Sequence, residues 1–286
     1  MKTSEGWGHH SSTLVPMRKD HHPAPFSPGQ VADFQRDGFL GPVPILEMEE
    51  VLDLRDRVDY LFQNLDSIES ELYEVEAAHM ERPEEVVCHF LGGWRVDKRL
   101  RELVFDPRLT GAAAQLLEVN RLRFWHDQVF YKPAGHPGVV PWHQDYSYWT
   151  RTAPARHVTI NILLDNADED SGCLQFVPGS QEWGLLPPVG FDQPLEKIRE
   201  GLLAGQEFLP RAVPVPAGSA TIHHSHTLHG SGPNGSKGPR RALAFNYMCA
   251  ETRVADDSEP LLRGAPHLSQ GEFVAGELFP VVWKAP

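Results

Sequence analysis

The sequence predicts an α+β protein whose strands, forming a sandwich or barrel, make up most of the core and are backed by helices. Three observations carry that expectation. Apolar residues recur at steps of three and four up to about residue 118, then switch to the period-two alternation of strands. Helices come first and strands later, a segregation that sorts helices onto one face of an antiparallel sheet. The 286 residues, 41% hydrophobic, suffice for one large core, so a single domain over 29–286 is expected.

Along the chain, residues 1–28 mix His, Ser and Pro without an apolar period and read as a poorly ordered arm whose His9, His10, His21 and His22 are solvated. From Pro28 a short helix ends at Gly38, where a left-handed residue can close it, and Phe39-Leu40 is extended. Val51, Leu54, Val58, Leu61 and Leu65 form the inward stripe of a longer helix. Asp106-Pro107 reads as a cap and first turn, opening a helix with Leu109, Ala113, Leu116 and Leu117 inward. Thus 29–118 is mainly helical, and 119–250 forms the β core. Strands are expected at 121–132, 157–165, 172–177, 213–223 and 240–249, followed by a C-terminal extension over 251–286. Segments 66–93 and 184–212 read as a cover and a variable loop.

A net charge of -13 leaves no basic stripe to neutralise phosphates, which excludes nucleic acid and anionic membrane surfaces as partners and favours a small-molecule substrate. Three scattered cysteines, Cys88, Cys173 and Cys249, indicate neither a disulfide framework nor a thiolate zinc site. No leader-like or membrane-spanning apolar run occurs, so a soluble, cytoplasmic protein is expected. Oligomeric state is not written in the sequence.

The chemistry is concentrated in two segments. PWHQDYSYW contains His143-Gln144-Asp145, and HHSHTLHGSGPN contains His229 84 residues beyond that aspartate. Two histidines and one carboxylate on one octahedral face leave three positions open, the set that suits non-haem iron(II) and oxygen chemistry. In an extended strand residues i and i+2 share a face, so His143 and Asp145 can reach one ion. With 15 histidines, roughly one H-x-D should arise by chance, so context decides. Eleven positions after His229, Arg240 opens an apolar strand, placed to grip a distal carboxylate while a keto acid chelates the metal with its other end.

The strings HQDYSYW, DEDSGCLQFVPGS and HGSGPN with its following arginine, preceded by FQRDGFL and HDQVFYKP, resemble the phytanoyl-CoA dioxygenase family in the same order, over roughly residues 30–250. The resemblance implies a double-stranded β-helix of the cupin-like jelly-roll type with helices packed on one sheet. It implies iron(II) held by His143, Asp145 and His229, with 2-oxoglutarate and O2 as co-substrates. Arg240 matches the co-substrate arginine, and Ser231, Gln128 and Asn161 fall where the family lines the 2-oxoglutarate pocket. The expected reaction is hydroxylation of an unactivated C–H bond of a small, largely apolar metabolite, with release of succinate and CO2. Desaturation, cyclisation, epimerisation or endoperoxide formation would use the same cofactors. Related halogenases lack the carboxylate, so Asp145 favours hydroxylation.

Tyr146, Tyr148 and Trp149 are candidate substrate contacts beside the metal, against the alternative that they are ordinary core. Composition alone does not choose among His223, His224, His226 and His229. The family pattern selects His229, leaving His226 as runner-up and His223 and His224 as strand or outer-shell groups. His126-Asp127 cannot chelate one ion, because neighbours in a strand face opposite ways. For the same reason only one of Arg240 and Arg241 points inward. Lys132, before Pro133, reads as a turn residue with a solvated charge, and Asp165–Asp170 as a solvated loop. Two other classes remain as alternatives: a redox-neutral hydrolase or isomerase using zinc or manganese on the same fold, and a non-catalytic ligand-binding cupin.

Overall fold

A computed structural model describes residues 25–190, 192–195, 197–202 and 205–285. The expected arm, and its four histidines, lie almost wholly outside these residues; Phe26 is buried against the helical layer. The first helix, Pro28–Asp37, is opened by a capping box between Ser27 and Gln30. It is closed by Gly38 in the left-handed region (φ 81°), whose N–H bonds the Phe34 carbonyl. Helix Met48–Gln63 buries Val51, Leu54, Val58 and Leu61, each contributing about 1.5–3 kcal/mol of burial. Helix Pro107–Leu116 starts at the Asp106 cap, whose side chain accepts from the Arg108 N–H.

In chain order the strands are β1 Phe39–Pro44, β2 Glu74–Val75, β3 Cys88–Leu91, β4 Arg121–Lys132, β5 Val140–His143, β6 Thr152–Ala153 and β7 His157–Leu163. They continue as β8 Leu174–Phe176, β9 Arg211–Ala212, β10 Ser219–His224, β11 His229–Ser231, β12 Arg240–Cys249, β13 Arg253–Val254 and β14 Val281–Lys284. The main sheet runs β1-β10-β7-β12-β4-β3-β2, with β14 also on β4; the minor sheet runs β5-β11-β8-β9. All pairings are antiparallel. This is a jelly-roll core, and alternation along its central strands divides the interior. Val129, Ile160, Ile162, Ile222, Leu243 and Phe245 pack against the helices, while Gln128, Phe130, Asn161, Ala242 and Ala244 face the cavity between the sheets. Among the described residues no helix is long and apolar enough to cross a membrane.

Several expectations need correction. The segment 66–93 is more than a cover, because β2 and β3 extend the main sheet along β4. The expected strand 213–223 begins only at Ser219, after Gly218, and 251–286 returns to the core, where β14 pairs with β4. Asp165 is not a solvated loop residue: it pairs with Arg55 and Arg241 at 3.1 and 2.9 Å. Lys132 is not a solvated turn residue either. It is the last residue of β4, on the same face as Gln128 and Phe130, and is completely buried.

Candidate metal centre and co-substrate pocket

The minor sheet places two imidazoles side by side. His143 closes β5 and His229 opens β11, and the two are cross-strand partners with ring centroids 4.2 Å apart. The backbone stays extended through Gln144 (φ -107°, ψ 129°) before turning into a short 3-10 helix at Asp145. The i, i+2 argument therefore holds although the strand itself stops at His143. One ligand atom from each of His143, Asp145 and His229 lies within 4.8 Å of the others, and all three residues are buried. The Nε2 atoms of His143 and His229 are 3.4 and 3.6 Å from Asp145 Oδ1.

The hydrogen bonds around this cluster fit a divalent metal. His143 Nδ1 lies 2.8 Å from the Pro141 carbonyl and His229 Nδ1 2.9 Å from that of Thr227. A carbonyl only accepts, so each ring carries its proton on Nδ1, and in the neutral form each turns its Nε2 lone pair toward Asp145. Burial, with His223 and His143 beside it, holds the His229 imidazole well below its usual range. Burial opposes ionisation of Asp145, but His229, His143 and His223 around it hold the carboxyl well below the ordinary carboxylate range. Two imidazole nitrogens and a carboxylate oxygen thus converge, and a divalent cation is what such a set accommodates. The Asp145 Oδ2 atom is turned away, 2.6 Å from Thr159 Oγ1 and 3.1 Å from His223 Nε2.

Beyond the metal cluster a pocket runs between the sheets, lined by Gln128, Phe130, Val140, Asn161, Leu174, Ala242 and Ala244, with Arg240 at its far end. The alanines leave the space open. Arg240 and Ser231 are fully buried, and Arg240 Nη1 donates to Ser231 Oγ (2.9 Å) and to the Gly172 carbonyl. Gly172 is required there: at φ +72° an added Cβ would lie 2.5 Å from the Gly232 and Pro233 carbonyls. Lys132 Nζ joins the group, donating to Ser231 Oγ (2.9 Å) and the Gly232 carbonyl. Burial lowers the Arg240 guanidinium to about 10, and burial together with the Arg240 charge pushes Lys132 well below its ordinary value. Among the described residues neither cation has a carboxylate within ion-pair distance.

Of the aromatic candidates, only Tyr148 has its ring against a candidate metal ligand, 5.6 Å from His143, and its hydroxyl donates to the Val189 carbonyl. Tyr146 packs on His157 and His226 and bonds the Thr152 carbonyl, while Trp149 packs on His157 and on His126. His224 and His226 stack on each other, and His224 Nδ1 accepts from the His226 N–H. Asp127 points away from His126, accepting from the Gly92 and Trp94 N–H groups at 3.1 and 2.8 Å. Arg241 faces outward onto Asp59 and Asp165.

A family model described as phytanoyl-CoA dioxygenase matches residues 34–242. The chain belongs to the phytanoyl-CoA dioxygenase family. It is 29% identical over 256 residues to an ectoine dioxygenase of Halomonas elongata, covering 82% of this chain and 75% of that one. To an L-proline trans-4-hydroxylase of Streptomyces griseoviridis it is 29% identical over 238 residues, 75% and 83% of the two chains. Among solved structures, the alpha-ketoglutarate-dependent carbocyclase SnoK from nogalamycin biosynthesis superposes with a TM-score of 0.70 at 24% identity, over 90% of this chain and 97% of that one. That likeness establishes the shared fold.

Sequence reasoning missed Lys132. The signal was present: three residues at period two, Gln128, Phe130 and Lys132, must share a face of one strand. What was not readable was that the end of the expected strand 121–132 is buried against β11 and β12 instead of lying exposed in a turn.

Proposed function

We propose that this family member is an iron(II)- and 2-oxoglutarate-dependent dioxygenase that hydroxylates a C–H bond of a small metabolite. The balance is one C–H bond, one O2 and one 2-oxoglutarate giving one C–OH, one succinate and one CO2. His143, Asp145 and His229 hold the metal, and the convergence of their three ligand atoms within 4.8 Å is the observation that carries the reading. Iron(II) with 2-oxoglutarate supplies oxygen activation coupled to oxidative decarboxylation.

The chain's own groups do the positioning. Arg240, Lys132 and Ser231, all buried, bind the distal carboxylate of 2-oxoglutarate where charge-assisted hydrogen bonds are strong. Gln128 and Asn161 line the path between that carboxylate and the metal and offer amide donors to the co-substrate. Tyr148 forms the substrate-facing wall beside His143, fixed by its bond to Val189. Ectoine and proline, in the names of the relatives, are small metabolites, which supports a substrate of that size. The buried free thiols of Cys88, Cys173 and Cys249 suit a reducing, cytoplasmic setting.

The test is a screen of small metabolites under air with iron(II) and 2-oxoglutarate, reading succinate and product mass. Substrate-stimulated, oxygen-dependent succinate with a product 16 mass units heavier is expected. A structural neighbour is a carbocyclase, so loss of two hydrogens instead would assign ring closure or desaturation. Turnover that needs neither oxygen nor 2-oxoglutarate would reject the oxygenase reading.

A further inference from the structure

Four polar residues stand side by side on one transverse row of the main sheet. Across β10, β7, β12 and β4 the register pairs His223 with Thr159, Thr159 with Asn246, and Asn246 with His126. All four are at most 3% exposed. Their atoms are linked. Thr159 Oγ1 lies 2.6 Å from Asp145 Oδ2 and 2.8 Å from Asn246 Oδ1, and Asn246 Nδ2 lies 3.1 Å from His126 Nδ1. At the other end His223 Nε2 reaches the same Asp145 Oδ2 at 3.1 Å. A buried polar row of this kind costs stability unless every member is satisfied, and its one common focus is a single carboxylate oxygen.

We propose that this row is a positioning device for the metal: it pins Asp145 Oδ2 from two sides, so that only Oδ1 is presented to the ion. The inference rests on the metal reading above and extends it to residues that do not touch the ion. The direction of the hydrogen bonds follows from counting protons. The ionised Asp145 carboxylate can only accept, and the Thr159 hydroxyl has one proton, so Thr159 donates to Asp145. Thr159 must then accept from Asn246, whose amide, given a half-turn about its last bond, turns its NH2 to Thr159 and its carbonyl to His126. His126 consequently carries its proton on Nδ1, where the Asp127 carbonyl, 3.4 Å away, also favours a donor. The chain of donors runs one way, from His126 through Asn246 and Thr159 to Asp145. Removing a link frees Oδ2 to rotate and compete for the positions that co-substrate and oxygen need.

Two measurements test this, each with its own readout. Titration with cobalt(II), followed by its visible d–d absorption, compares the wild type with Thr159→Val and Thr159→Ser. Loss of the hydroxyl in Thr159→Val should weaken metal binding about 10- to 100-fold and shift the band, whereas Thr159→Ser should restore both. Nitrogen-15 NMR of the unaltered protein reads the His126 tautomer directly and needs no variant to fold; Nδ1–H is expected. An Nε2–H tautomer, or cobalt binding and a spectrum in Thr159→Val identical to the wild type, would overturn the proposal. Failure of the wild type itself to bind cobalt(II) would instead overturn the metal reading, and the proposal with it.

Discussion

Lys132 and Arg240 are cross-strand partners on β4 and β12, both buried, and each places a nitrogen 2.9 Å from the same oxygen, Ser231 Oγ. Like charges opposite each other on a sheet are destabilising, and without an anion they are tolerable only if one gives up its proton. Lysine does so more readily than arginine. The pair is therefore strained when empty and matched when a carboxylate enters.

Replacing Lys132 by Met should have opposite effects on stability and binding. The KM for 2-oxoglutarate should rise roughly 10- to 100-fold, in line with about 1.5–3 kcal/mol for a lost charged hydrogen bond. Thermal stability of the empty protein at neutral pH should rise. The sign follows from linkage: burial and Arg240 lower the Lys132 pKa in the folded state, so the penalty is full below that pKa. It fades as pH climbs toward the ordinary lysine value, so wild-type stability gains with pH across that window, and the variant should lack this gain. Denaturant unfolding at several pH values measures it.

The open floor of the pocket gives a second prediction. Ala242 and Ala244 line the same pocket as Arg240 and the metal cluster, and 2-oxoglutarate bound as proposed runs past them. Ala244→Leu should fill that path and abolish 2-oxoglutarate binding while iron(II) still binds. Isothermal titration of each ligand separates the two, and undiminished 2-oxoglutarate affinity would show that the co-substrate lies elsewhere.

How much of this was readable in the sequence can be argued residue by residue. Strands β4 and β12 have the bounds expected, because twelve and ten residues of β-branched and aromatic character end at Pro133 and at turn residues. Helix ends were legible where capping chemistry is local, as at Gly38 and Asp106. The short strands β2 and β3 were not, since two to four residues carry too little period and are extended only by pairing with β4. In the site, H-x-D and the distant His229 were legible as a motif. The opposition of Lys132 to Arg240 and the row through Thr159 and Asn246 depend on strand register, which no single segment encodes.

Gln144, between the two candidate ligands, ties the metal turn to the segment that follows β8. Its Nε2 donates to the Gly184 and His226 carbonyls, each at 2.9 Å, and its Oε1 accepts from Leu186 N–H at 2.7 Å. Gln144→Ala should cost about 1–3 kcal/mol and speed proteolytic cleavage within 184–208. Peptide mapping during limited proteolysis locates the cuts; an unchanged cleavage rate would show that the segment is held without the Gln144 bonds, by contacts such as Trp142–Phe208 and Tyr148–Val189.

Anaerobic titration with iron(II) of the wild type and of the His143→Ala and Asp145→Ala variants tests the metal centre most directly. One equivalent of tightly bound iron per wild-type chain is expected, lost in both variants while circular dichroism shows the fold retained. Iron uptake by either variant equal to that of the wild type would contradict a site built on His143, Asp145 and His229.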